Sequence, residues 1–442
     1  GGGAEARWPS PRGWPGAMIF YDNQSWWGLV FRFRGTVWEA TWSKVALITL
    51  FSLLAYVFEI YSDKTLGRSG HTVFGSTMSY LLVFRANNAS ERSWAGRGHL
   101  TQTFLDLREF VMLMCVIMKG GAANEAWHAS RASEGERERL EDANDVRASL
   151  ARVNCVRWAL AFAVSLKLHT RICYSGFVNG WITSEQKWLI DLDRIRLRGL
   201  MTRQEFEELN DLVPIMGERH VTRGAPALTP ELVEELLEAP EEDEEYEVDT
   251  TPDLRQPLAI LMRMRLEIVR HVNEPYGIKE RFAKDLLNFC SRAALLYEQI
   301  TIVISTPIPF PYVHLCKVLL LIFLASTPLL IDPALGLFAS VVLPSSVAMA
   351  LLGIDAIATE LENPFGDDPN DHDVMGAIAQ LEAECMMMLE VSGDTRAREA
   401  FGTFEIPEAL RDDDPRAPAD FLCLQSQLRP EGAAPEEEAT PR

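Results

Sequence analysis

The run Ala334–Ile354 is 21 residues long and contains no charged side chain. About 20 helical residues cross the ~30 Å hydrocarbon core of a bilayer, so this run reads as a membrane span. Two further apolar runs accompany it. Tyr312–Ile331 has 20 residues with Lys317 as its only charge, and Val45–Tyr61 has 17 residues with one late acid, Glu59. This pattern argues against a fully soluble, single-domain enzyme. Met18–Trp42 precedes the first run and is rich in Trp and Arg: Trp26, Trp27, Trp38 and Trp42 with Arg32 and Arg34. Such side chains place an apolar body in lipid and a polar tip in water, so the segment reads as an interfacial lead-in.

A second apolar helix begins near His71, with Val73, Phe74, Met78, Leu81, Leu82 and Phe84. Polar residues follow, then the apolar stretch Phe110–Met118, which Gly120-Gly121 stops. A helix that changes character in this way suits a bundle interior or the wall of an aqueous path. From 121 to 300 charged residues are frequent, and helical periods recur over Trp188–Leu200, Leu258–Val272 and Phe282–Ile300. Thr306-Pro-Ile-Pro-Phe-Pro311 then breaks the helix ahead of spans expected at 312–331 and 335–357. There is no internal repeat and almost no period-2 alternation. The expected fold is all-α and integral to a membrane, with four membrane helices in two pairs plus a helical extramembrane domain. The expected segments are 1–44 (interfacial), 45–120 (first helix pair), 121–307 (extramembrane domain), 308–358 (second pair), 359–404 (acidic motif and helix) and 405–442 (acidic tail).

The net charge of −21 is local. Thr229–Asp249 holds 11 acids and no base, and with Glu405–Arg442 it accounts for 17 of the 21 negative charges. Both stretches read as solvated, the first within a proline-punctuated loop at 222–257 and the second as a disordered tail. A nucleic-acid binder would show a basic face, and none is present. The 7 cysteines include no C-x-x-C pair, so buried free thiols are expected, without disulfides or a zinc site. The chain opens GGGAEAR without an initiator Met, so it reads as a fragment or a processed form, and this end does not identify the membrane.

P-loop, HExxH, GxSxG and strand-bounded GxGxxG signatures are all missing, and no enzyme activity is expected. One acid cluster has metal-ligand character: Asp367-Asp-Pro-Asn-Asp371. It supports three readings: turn and N-cap residues for the next helix, a Ca²⁺ loop built from carboxylate and carbonyl oxygens, or half of a Mg²⁺–diphosphate site. The third needs a second acidic motif, which is lacking. Ser76, Tyr80 and Phe84 are spaced by four and share one helix stripe. In a monomer such a stripe is ordinary packing. Repeated around an axis, it would line a pore whose electropositive ring edges tolerate a weakly hydrated anion.

Four segments carry a family resemblance. Phe84-Arg-Ala-Asn-Asn-Ala-Ser-Glu-Arg-Ser-Trp-Ala-Gly-Arg97 resembles the FRNNASYDRWWEAR segment of the bestrophin-like membrane proteins. Phe31-Arg-Phe-Arg-Gly-Thr-Val-Trp38 is similar to the N-terminal segment of that family. Thr306-Pro-Ile-Pro-Phe-Pro-Tyr312 looks like its helix-breaking turn. Glu360-Leu-Glu-Asn-Pro-Phe-Gly366 followed by Asp368-Pro-Asn-Asp371 looks like its post-span acidic motif. The matches bracket about 20–375, and the DPND form is nearer the bacterial and plastid branches.

The resemblance implies a homopentameric chloride channel, with bicarbonate or nitrate as further permeant anions and membrane lipid around it. A non-conducting assembly or regulatory protein of the same fold is the alternative. The implied pore neck is Phe84, Tyr80 and Ser76, with Thr77 and Leu81 facing the axis if the helix is rotated. Family necks carry three bulky apolar residues, from which Ser76 and Tyr80 depart. Arg85, Asn87 and Asn88 would sit beside the neck. No cofactor is required, but Ca²⁺ is an implied gating ligand, held by Asn363, Asp368 and Asp371 with Glu360. The implied location is a chloroplast thylakoid or envelope membrane, or the plasma membrane.

Overall fold

The computed structural model of the chain describes residues 27, 30–32, 35–62, 69–118, 120, 134–178, 181–212, 245–247, 256–274, 276–366 and 370–392. Asp368, most of the loop 222–257 and the tail 405–442 lie outside the described residues. The helices are α1 (Val37–Ser62), α2 (Ser69–Ile117), α3 (Glu134–Val178), α4 (Ser184–Gly199), α5 (Arg203–Leu212), α6 (Gln256–Arg270), α7 (Glu280–Ser305), α8 (Phe310–Ser326), α9 (Gly336–Glu362) and α10 (Val374–Val391). Two three-residue strands depart from the all-α expectation: β1 (Trp181–Thr183) pairs antiparallel with β2 (Glu245–Glu247). Strands this short are below the length at which alternation shows in a sequence.

Two helical stretches among the described residues are long and apolar enough to cross a membrane, Val37–Phe58 and Pro333–Glu362. α8 has 17 residues and qualifies only together with α7, bent by 40° at the proline break. α2 turns polar from Arg85 onward, and its 49 residues extend about 74 Å at 1.5 Å per residue, more than twice a bilayer core. The first helix pair expected from the sequence is thus one apolar helix and one much longer mixed helix.

The chain divides into two compact units, with boundaries at Gly98 in α2, at Ile302 in α7 and at Asp373. The first unit comprises 1–98 and 303–373. Its apolar core is Ile48, Met78, Leu82, Leu320, Leu324 and Ala348, drawn from α1, α2, α8 and α9. Short side chains let the helices approach closely: Thr49 and Ser345 hydroxyls meet at 2.8 Å between α1 and α9. A Cβ on Gly75 would stand 2.8 Å from the Phe323 ring, so α2 packs against α8 where no other residue fits without a shift.

The second unit is built on α3, whose middle turns from Ala159 to Leu168 are almost entirely buried. Charged side chains inside it are paired. Arg171 meets Asp193 at 2.7 Å, and Arg292 grips Asp106 through two bonds of 2.8 and 3.0 Å. α5 begins with a reciprocal cap: Glu205 N–H donates to Thr202 Oγ1 at 3.2 Å, and Thr202 N–H donates to Glu205 Oε2 at 2.9 Å. Six cysteines are described; all are free, and all but Cys173 are buried.

Candidate functional site

Within the first unit, α2 has one covered face and one open face. Met78, Leu82, Arg85, Ala89 and Gly96 are buried at intervals of three, four and seven, the repeat of one helix side. Ser76, Tyr80, Phe84, Asn87 and Glu91 lie on the opposite side and are exposed. Tyr80 is 70% and Phe84 47% exposed. Their rings stack at 6.4 Å with an interplanar angle of 17°. Phe84 also meets the edge of Tyr312 from α8 at 6.2 Å and 84°. Tyr312 is itself fixed, because its hydroxyl donates to the Leu81 carbonyl at 3.1 Å. The Ser76 and Thr77 hydroxyls turn back to the Thr72 and Val73 carbonyls. Thr77 is exposed and Leu81 half-buried, so the Ser76–Tyr80–Phe84 stripe is the more open of the two alternatives. Asn88 is half-buried.

Arg85 leaves this face entirely. It is 1% exposed, and its guanidinium pairs with the Asp355 carboxylate of α9. The same group donates to Thr359 Oγ1 at 3.1 Å and lies 3.5 Å from Glu362. Lys317 of α8 approaches the other Asp355 oxygen at 3.3 Å. A cation this deep in apolar helices is stable because carboxylates neutralise it on the spot. Arg92, about two turns further along, donates to the Val303 and Thr306 carbonyls freed by the proline break. Glu362 completes that turn by accepting from the Ile308 N–H at 3.2 Å. Sequence reasoning noted Lys317 and Glu362 without giving them a role, and it missed Asp355. The available signal was a lone acid and a lone base within otherwise apolar spans.

The post-span turn starts where α9 ends. Phe365 is fully buried against Gly96, where a Cβ would meet its ring at 3.1 Å. His372 stacks edge-on to Phe365 at 5.7 Å, with Nε2 3.2 Å from the Ser93 carbonyl. Burial lowers the pKa of His372 below its ordinary value, against the raising effect of the Ser93 carbonyl. Asp371 is 4% exposed and precedes the N-cap position of α10, so it is not the cap. Its Oδ2 and the Asn363 side-chain amide converge on Gly366, lying 2.6 and 2.7 Å from the place a Cβ there would occupy. The Asn363 Nδ2 is buried without a hydrogen-bond partner, and a flipped amide would present Oδ1 at that point. Glu360 is engaged elsewhere, accepting at 2.6 Å from Asn370 Nδ2, which also reaches the Gly35 carbonyl at 3.4 Å. Among the described residues no three His, Cys, Asp or Glu side chains gather as a metal cage. With its amide flipped, Asn363 would join Asp371 in offering two oxygen donors to a hard cation.

The profile of the bacterial/fungal bestrophin proteins matches residues 18–386. The chain belongs to the bestrophin family. Two cyanobacterial relatives are named voltage-dependent anion channel-forming proteins. That of Nostoc sp. is 24% identical over 79% of this chain and 87% of its own length; that of Synechocystis sp. is 22% identical over 78% and 86%. A bacterial bestrophin homologue from Klebsiella pneumoniae, solved as a single-site variant, shares the fold at a TM-score of 0.52. The two are 16% identical, covering 78% of this chain and 97% of that one. The crystal structure of a membrane protein variant aligns at a TM-score of 0.54, 16% identical over 80% of this chain and 98% of that one. The bestrophin match includes the α2 stripe, the Arg85 cluster and the turn from Asn363 to Asp371. With its two spanning-length apolar helices, this bestrophin is an integral membrane protein.

Proposed function

We propose that this bestrophin is an anion channel. Five copies surround a central axis, with α2 of each facing it and Ser76, Tyr80 and Phe84 forming the neck. The observation that carries this is the open face of α2: its opposite side is buried in the first unit, and the aromatic stripe is left exposed. Two relatives named as anion channel-forming proteins support the same reading. The two apolar helices α1 and α9, with α8 and the apolar part of α2, make the four membrane segments. Aromatic ring edges and helix dipoles lower the barrier for anions at a short constriction. Weak hydration is an advantage there, so iodide, nitrate and thiocyanate pass more readily than chloride, and bicarbonate is a further candidate.

The test is anion flux through purified protein in liposomes, wild type beside Phe84→Ala. Flux above that of empty liposomes, changed in rate or anion preference by Phe84→Ala, is the expected result. Equal cation and anion permeability contradicts the proposal. Absence of flux from protein shown to be pentameric moves the weight to a non-conducting assembly partner.

Ca²⁺ is the proposed gating ligand, held by Asn363, Asp371 and Asp368, with Glu360 joining after release of Asn370. The ion would supply positive charge that ties the post-span turn together. Calorimetric titration is expected to detect Ca²⁺ binding to the intact chain and to lose it in the Asp368→Ala, Asp371→Ala double variant. An intact chain that binds no Ca²⁺ removes the ligand from the proposal.

A further inference from the structure

The open face of α2 continues past the neck. Counting along it from Phe84, the next exposed positions on the same side are Asn87 and Glu91. Glu91 stands seven residues beyond Phe84, about 10 Å further along the helix axis. The arginines near it are each turned to another task. Arg85 is buried against Asp355, Arg92 donates to the Val303 and Thr306 carbonyls, and Arg97 lies over the Trp94 ring at 5.8 Å. Glu91 itself is exposed and forms no ion pair among the described residues. Arg92 and Arg97 keep their charge but lie off the stripe of Ser76, Tyr80, Phe84, Asn87 and Glu91, whose one charged side chain is the Glu91 carboxylate, in a chain whose proposed cargo is negative.

We infer that Glu91 is a selectivity-setting residue, whose carboxylate, repeated once per copy around the water path beyond the neck, holds anion flux down and attracts cations. The inference rests on the pore reading and specifies its charge selectivity. The physical reason is Coulombic. A fixed carboxylate beside a permeating anion lowers its local concentration, and equivalent copies act together. The opposition is long-range and screened by salt, in contrast to the neck, which acts by contact and dehydration.

The test is chloride flux through pentameric protein in liposomes at low and high ionic strength. Wild type, Glu91→Gln, Glu91→Lys and Phe84→Ala are measured side by side, and assembly of each is checked by native mass. Glu91→Gln is nearly isosteric and sits on an exposed face, so it preserves the fold. The expected result is a rise in chloride flux of about two- to tenfold for Glu91→Gln at low salt, larger for Glu91→Lys and shrinking at high salt. The ratio of chloride to sodium permeability rises in the same order. If Phe84→Ala alters flux while both Glu91 variants match wild type, Glu91 lies off the path; the inference falls and the pore reading stands. If wild type conducts but Phe84→Ala and the Glu91 variants all leave flux unchanged, the assignment of the pore to this face of α2 falls with it.

Discussion

A guanidinium within apolar helices is tolerated only with a partner in place, and Arg85 has Asp355, Glu362 and Thr359 around it. Arg85→Ala strands Asp355 with a half-exposed Lys317 as its remaining counter-charge. Breaking one side of a buried pair costs roughly 3–5 kcal/mol, so Arg85→Ala and Asp355→Ala should each lower the thermal unfolding midpoint in detergent sharply. The double substitution Arg85→Met, Asp355→Leu removes both charges and should recover much of that loss. Equal losses in the single and double variants would mean that packing, and not charge, sets the effect. That Ser76, Tyr80 and Phe84 share one helix side was legible from their spacing of four. The fate of Arg85 was not, because its partner stands 270 residues later and no local pattern announces it.

At the scale of elements, apolar runs placed α1, α8 and α9, and helical periods placed α4, α6 and α7. The sequence reads α2 as one helix of changing character from His71 to Gly120, whereas α3, α5 and the small β1–β2 pair escaped notice; the middle turns of α3 are buried on all sides and so show no one-sided period. α10 carries a less visible feature, Glu382, buried at 5% exposure. Burial pushes its pKa up to about 7, and Arg196 only partly opposes the shift. Between the ordinary carboxylate range and about 7, the folded protein keeps a proton that the unfolded chain has lost. The stability contributed by this group therefore declines as pH rises through that window and is level above it. Melting curves at pH 5 and pH 8 should differ by more in wild type than in Glu382→Gln, which cannot ionise. An identical pH dependence in both would show that Glu382 does not govern it.

At the scale of the molecule, the exposed side of α2 and the apolar outer faces of α1 and α9 define what an assembly has to cover. Native mass spectrometry from detergent is expected to return five copies. In the proposed ring, closed point-group symmetry would give each copy the same neighbours, so one ring of Phe84 and one of Glu91 would follow from a single sequence position each. Another copy number would require a neck of different width. The first unit is itself assembled from two distant stretches, 1–98 and 303–373, with the second unit encoded between them. That arrangement imposes a timetable. At about 5–20 residues per second, synthesis takes roughly 15–50 s to travel from Arg85 to Asp355. For that interval α2 carries a cation whose counter-charge has not been made. Chains stopped before 355 keep that cation permanently unmatched, and they are the forms that membrane quality control is expected to remove first.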